Sequence, residues 1–318
     1  MITKNIQLAV QELIEDNIIA IPTETVYGLA GNAFSESAIH KIFELKKRPL
    51  HNPLIVHIQS IDYLTKVAKD IPDKAYQLAN AFWPGPLTLV LNKKENIPNI
   101  VSAQKNTVAV RVPNHPMALA LLANLDFPIA APSANPFGSI SPTSAMHVAN
   151  YFENELAIIL DGGECEKGIE STIVGFDGDE PVLYRLGSIS LDDIEKEIGE
   201  LKLITKNDIN PAAPGMLSKH YAPKTKMYFT NNVHELIQKF ANNQIGVLLF
   251  EKYVYHQNIK HQEILSETGN LNEAAKNLYA AMHRLDHSNL DIIIAERLPN
   301  IGLGKTINDK LERASKIE

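Results

Sequence analysis

Between Ile6 and Ile14 the residues Ile6, Ala9, Val10, Leu13 and Ile14 form one apolar helical stripe that Thr3 would cap. The run Ile18-Ile19-Ala20-Ile21 then stops at Pro22, as a short buried strand does. Ser35 predicts the N-cap of a second helix with Ala38, Ile39, Ile42 and Phe43 turned inward. Further strands are expected at 54–58, 87–91, 108–112, 129–131, 157–160, 172–176 and 182–184, and Thr143 should cap a helix running to about Phe152. Many short strands with helices between them predict an α/β or α+β sheet protein.

The pattern changes near residue 190. Ser190 with Asp193 reads as a capping box opening a short acidic helix. Residues 202–225 are polar and punctuated by Pro211, Pro214, Gly215 and Pro223, which marks a linker. A second alternation follows: a strand at 227–229, a helix through Leu236 and Phe240, and a strand at 246–250. A long helix through Leu278 and Met282, a strand at 291–295 and a closing helix complete it. The expected organisation is a catalytic-sized domain over 1–201, a linker over 202–225 and a small βαβ-type domain over 226–318. The 318 residues suit two domains of ~100–200 residues, or one large one.

Hydrophobic residues at 45% and charged residues at 21% exclude a mainly disordered chain. The formal charge of −7 argues against a protein that coats nucleic acid nonspecifically, while leaving room for a local basic groove. The single cysteine, Cys165, cannot form an internal disulfide and fits a reducing, cytosolic setting. The amphipathic start, with Lys4, Glu12, Glu15 and Asp16, has no apolar region of a signal peptide. No stretch approaches the ~18 apolar residues of a membrane span.

Four segments carry candidate chemistry. Pro22-Thr23-Glu24-Thr25-Val26-Tyr27-Gly28-Leu29 places hydroxyls and one carboxylate after a buried strand, where open α/β sheets bind ligands. A turn in which Thr23 and Thr25 bond their own backbone would have the same composition. Lys46-Lys47-Arg48-Pro49 precedes His51-Asn52-Pro53, and residues 41–57 hold four cations against Glu44. Cations suit a last helical turn, but a cluster at a strand edge also suits a phosphate. His57, on a strand otherwise apolar, is in isolation the kind of histidine that a core satisfies. In Thr107-Val108-Ala109-Val110-Arg111 the alternation puts Thr107, Ala109 and Arg111 on one face. A buried arginine needs an anion, and no acid stands between Asn96 and Leu125. Either a ligand carboxylate or a distant Asp or Glu must serve. The loop from Ala131 through Ser133, Asn135 and Ser141 is rich in hydroxyls and able to bind phosphate oxygens, as is Gly168-Ile169-Glu170-Ser171-Thr172. Ser133 lacks the glycines of a nucleophile elbow. Arg185 could be an ordinary strand-end cation.

Two patterns mislead. Gly304-Lys305-Thr306 imitates the end of a phosphate-binding loop, but Pro299 occupies the place of its first glycine, and a cationic helix start is expected instead. His283 and His287 are spaced to share a metal, yet no third ligand accompanies them, so a solvated face is expected.

In this order the segments resemble the YrdC-domain family, and within it the two-domain threonylcarbamoyl-AMP synthases. The resemblance runs through Pro22–Leu29, Lys46-x-Arg48-Pro49, Asn52-Pro53-Leu54 with His57, Ser133-Ala134-Asn135, Ser171-Thr172-Ile173-Val174 and Arg185-x-Gly187. It continues through Pro214-Gly215-Met216, His220-Tyr221-Ala222-Pro223 and Gly302-Leu303-Gly304 with Ile307-Asn308-Asp309. It implies a twisted mixed sheet around a deep groove, joined to a smaller Rossmann-like domain. The implied reaction turns L-threonine, bicarbonate and ATP into threonylcarbamoyl-AMP and pyrophosphate. A separate transferase complex then uses the product on the adenosine beside the anticodon of transfer RNA. The resemblance places threonine against Thr25, His57, Arg111, Ala131 and Ser171. It places the nucleotide against Arg48, Asn52, Thr107, Ser133, Ser141, Arg185 and Tyr221, with Lys46 and Arg48 facing the phosphates as the catalytic cations. Magnesium would come with the ATP phosphates, not on protein side chains. The proline-stiffened linker, with His220-Tyr221, would serve as a lid excluding water.

Two rivals have their own signatures. A double-stranded-RNA-binding module would show aromatics interleaved with its basic cluster, which are absent here. A carbamoyl-transfer domain of the hydrogenase-maturation type would be expected to follow cysteine-rich modules.

Overall fold

The computed structural model describes residues 1–152, 155–205 and 211–316, so part of the predicted linker and the last two residues lie outside it. Asn5, not Thr3, caps the first helix, Ile6–Ile14, its side chain accepting from the Gln7 and Leu8 amides. Thr3 instead belongs to the strand Ile2–Thr3, and Ile14 turns outward at 61% exposure. Ser35 and Ser190 cap Glu36–Lys46 and Leu191–Ile198 as the sequence predicts. For Ala145–Phe152 the hydroxyl accepting the His147 amide is that of Ser144, while Thr143 sits against the His147 ring.

Among the described residues the first part builds a twelve-stranded mixed sheet. Its order is Ile2–Thr3, Ile159–Leu160, Ile19–Ile21, Gly28–Asn32, Ile129–Ala130, Ile55–His57, Thr107–Arg111, Leu87–Lys93, Thr172–Asp177, Glu180–Arg185 and Lys202–Leu203, with Ala68–Lys69 beside Leu87–Lys93. Ile55–His57 runs parallel to Thr107–Arg111, so that His57 stands opposite Arg111. The second part is a four-stranded parallel sheet in the order Lys226–Thr230, Ile292–Glu296, Ile245–Leu249, Ile259–Ile264. Its long helix is Leu271–Asp286 and its last helix Leu303–Ala314. The expected mixed α/β architecture with a smaller second unit is what forms.

One apolar cluster joins the two parts: Val26, Ile140, Ile169 and Tyr221 pack with Leu278, Tyr279, Ile307 and Leu311. Polar bonds follow the same seam, from Thr306 Oγ1 to the Gly187 carbonyl and from Lys310 Nζ to that of Leu186. The glycine–lysine–threonine pattern thus opens a helix, with Thr306 buried against the first domain. The expectation for His283 does not hold: it is buried at the seam, stacked on His147 with ring centroids 4.0 Å apart, and only His287 is exposed. Among the described residues no helix is long and apolar enough to cross a membrane.

Candidate active site

Strand ends converge on one cleft. Ile19–Ile21, Ile55–His57, Thr107–Arg111, Ile129–Ala130 and Glu180–Arg185 bring their carboxyl ends to it, and Thr172–Asp177 its amino end. The Thr23 hydroxyl donates to the Val26 carbonyl at 2.6 Å and accepts from the Thr25 amide at 3.2 Å, so the alternative hydroxyl turn does form, around Thr23 alone. That turn presents Thr25 Oγ1 to Arg111 Nη1 at 2.9 Å.

Arg111 has its counterion. Glu24 Oε1 lies 2.6 Å from Nη2, with both side chains almost wholly buried, and Nε donates to the Gly85 carbonyl. Of the two alternatives left open by sequence, a ligand or a distant acid, the fold supplies the acid. Glu24 stands behind the wall that Thr25 and Arg111 form. His57, deeply buried, has no partner for Nδ1 among the described residues; it is not a core-satisfied histidine. Burial, and then the Arg111 charge, push its pKa down to about 3, so its ring is neutral at physiological pH.

The second group of cations is gathered by main-chain carbonyls. Arg48 donates through Nε to Asn52 O and through Nη2 to Pro53 O; burial, and then Arg185, lower its pKa to about 9. Arg185 clasps Ser171, with Nε and Nη2 on the carbonyl and Nη2 on Oγ at 2.9 Å. It is a buried wall residue, not a strand-end cation in solvent. Lys46 lies below the lining, donating to the carbonyls of Ser133 and Asn135, and burial pushes its pKa well down.

Thr25, His57, Arg111, Ala131 and Ser171 all line the cleft, as do Arg48, Ser133, Arg185 and Tyr221. Asn52, Thr107 and Ser141 do not. Asn52 is buried with both amide atoms unpartnered among the described residues. Thr107 starts the strand whose far end carries Arg111. Ser141 donates to Glu170 Oε1 at 2.6 Å, and Tyr279 of the second part donates to Oε2 at 2.8 Å. Glu170 is therefore a lining carboxylate that sequence reasoning passed over, although it stands in a segment singled out for its hydroxyls.

Pro214, Gly215, His220 and Tyr221 form the remaining wall. Ala213 and Met216 anchor this strap on Ile55, Val90, Ala109 and Ile173. Tyr221 has a left-handed backbone with φ 65°, stacks on Tyr279 at 5.6 Å and takes the Lys310 ammonium 4.9 Å from its ring centre. Among the described residues no three His, Cys, Asp or Glu side chains gather to hold a metal ion.

Comparison with known proteins accounts for both parts. Residues 11–187 match the family described as telomere recombination, which unites Sua5, YciO and YrdC proteins; residues 189–316 match the C-terminal domain of threonylcarbamoyl-AMP synthases. The threonylcarbamoyl-AMP synthase of Pyrococcus abyssi is 41% identical, over 98% of this chain and 94% of its own. That of Bacillus subtilis is 40% identical, over 95% and 90%. The crystal structure of P. abyssi Sua5 complexed with L-threonine matches with a TM-score of 0.91, covering 98% of this chain and 94% of that one. With both halves matched in order and nearly full-length relatives at this identity, the chain belongs to the threonylcarbamoyl-AMP synthase family.

Proposed function

We propose that the cleft converts L-threonine, bicarbonate and Mg-ATP into threonylcarbamoyl-AMP, pyrophosphate and water. The observation that carries the reading is convergence: every residue assigned to threonine by resemblance lines one cavity with Arg48, Ser133, Arg185 and Tyr221. In the reaction the threonine amine bonds to the bicarbonate carbon with loss of water. A carbamate oxygen then attacks the α-phosphorus as its bond to pyrophosphate breaks. Such a transfer needs positioning and charge neutralisation more than a protein nucleophile. Arg111, held by Glu24 and Thr25, faces the substrate carboxylate, while neutral His57 can accept or donate one hydrogen bond without adding charge. Arg48 and Arg185 take the polyphosphate, and magnesium arrives on the nucleotide. Lys46 works as a positioning residue, fixing the Ser133–Asn135 loop from below. Ser141 acts likewise through Glu170.

The strap of Pro214, Gly215, His220 and Tyr221 serves as the lid that keeps water from a labile adenylate. The product passes to a separate cytosolic transferase that modifies transfer RNA. RNA binding without turnover is not favoured, because Lys46, Arg48 and Arg185 are buried at 1%, 8% and 5% exposure instead of lying on an open face.

The test is incubation of the full chain with ATP, threonine and labelled bicarbonate. A labelled adenylate should appear, and pyrophosphate should be released only when all three substrates are present. Equal release without threonine would sink the mechanism.

A further inference from the structure

The domain beneath the strap is not all that holds it. Arg313, near the end of Leu303–Ala314, is fully buried, with Nε 3.0 Å from both carboxylate oxygens of Asp309. Its Nη1 donates to Gly215 O at 2.9 Å and to Leu217 O at 2.7 Å, and its Nη2 donates to Thr205 O at 2.9 Å. One planar cation from the second part thus ties down two carbonyls of the strap, Gly215 and Leu217, together with that of Thr205 just after the strand Lys202–Leu203. Gly215 is the sensitive point. Its φ is +79°, and a Cβ there would meet Arg185 Cδ at 2.8 Å, while Arg185 Nη1 donates to the neighbouring Pro214 carbonyl at 3.5 Å, so strap and arginine pack closely across the wall. Without Arg313 the three carbonyls would lose buried donors, and the strap would have to move to hydrate them.

We propose that Arg313 is a positioning residue for the nucleotide half of the cleft, and that the second domain contributes to the reaction by clamping the strap against Arg185. The kinetic side of this inference rests on the proposed synthase reaction; the structural side does not.

The test uses the full-length chain with Arg313→Met, which removes every donor, and Arg313→Lys, which keeps a charge for Asp309 but loses the fork. Hydrogen exchange of strap amides in 212–222 is measured without ligand, KM for ATP by turnover, and threonine affinity by calorimetry. Both variants should exchange faster in the strap while the sheet core keeps its protection. Removing charge-assisted bonds should raise KM for ATP ~10-fold or more and leave threonine affinity within ~2-fold. If Arg313→Met does not fold, Arg313→Lys decides alone. A folded variant with wild-type strap exchange and KM for ATP overturns the clamp, as does one in which threonine and ATP binding suffer alike. Should the wild-type chain make no adenylate, the proposed function fails, while strap exchange still judges Arg313.

Discussion

Arg111 sits inside a strand because Glu24 neutralises it from behind, so its loss has two consequences. Arg111→Ala should weaken threonine binding, since a charge-assisted bond contributes ~1.5–3 kcal/mol, equivalent to ~10–150-fold in affinity. It should also destabilise the fold by ~3–5 kcal/mol, because Glu24 is left buried and unpaired. Arg48→Ala should strike the other ligand, weakening Mg-ATP with threonine affinity kept. Calorimetry separates the two, and both substitutions falling on one ligand would refute the division of the cleft. That a strand arginine required an anion was legible in the sequence. Its partner was not, because Glu24 reaches Arg111 only when distant strand ends meet at the cleft. For the same reason Ser141, assigned to the nucleotide by resemblance, could not be foreseen as a support of Glu170 behind the lining.

Apolar runs such as Ile19–Ile21 and Ile55–His57 announced themselves, whereas Gly28–Asn32 and Ile259–Ile264 did not. The first is Gly-Leu-Ala-Gly-Asn, weak in strand propensity but small enough to be crossed closely: a Cβ on Gly31 would come within 3.2 Å of Ile42. The second is a polar edge strand with only Glu263 buried, so it lacks the alternation that marks a core strand. Helix 271–286 was legible as amphipathic, but its histidine face was misread because the partner helix, Ala145–Phe152, is far away in sequence. Burial holds His283 at a pKa of about 3 and His147 at about 4, against 6.5 when exposed. The unfolded chain therefore binds protons that the folded one refuses as pH falls from about 6.5 towards 3. Stability should be full above that window and decline through it, each such histidine adding at most ~1.4 kcal/mol per pH unit. Thermal melts of His283→Gln between pH 6.5 and 4.5 should show a shallower decline than wild type. An unchanged slope would mean that His283 takes up its proton alike in the folded and the unfolded chain.

At the scale of the whole molecule, composition and punctuation revealed two parts but not how tightly they share a seam. Buried polar bonds from Tyr279, Thr306, Lys310 and Arg313 make the second part a support of the first and of the strap. Around that seam positive groups crowd together. Arg48 feels Arg185, and burial, outweighing Asp309 and Glu170, draws the Lys310 pKa down to about 8. A polyanion entering the cleft relieves repulsion that the unfolded chain never has, so occupancy and folding are one linked equilibrium. Pyrophosphate at 100 times its Kd should add ~2.7 kcal/mol to the unfolding free energy. The rise in Tm should exceed that given by chloride at equal ionic strength; equality would show that the cations are already fully compensated. The same linkage ties the protein's lifetime to its fuel. When nucleotide runs short, an emptied chain should unfold more often and meet proteases sooner, so the supply of ATP should set how many copies survive as well as how fast each one works.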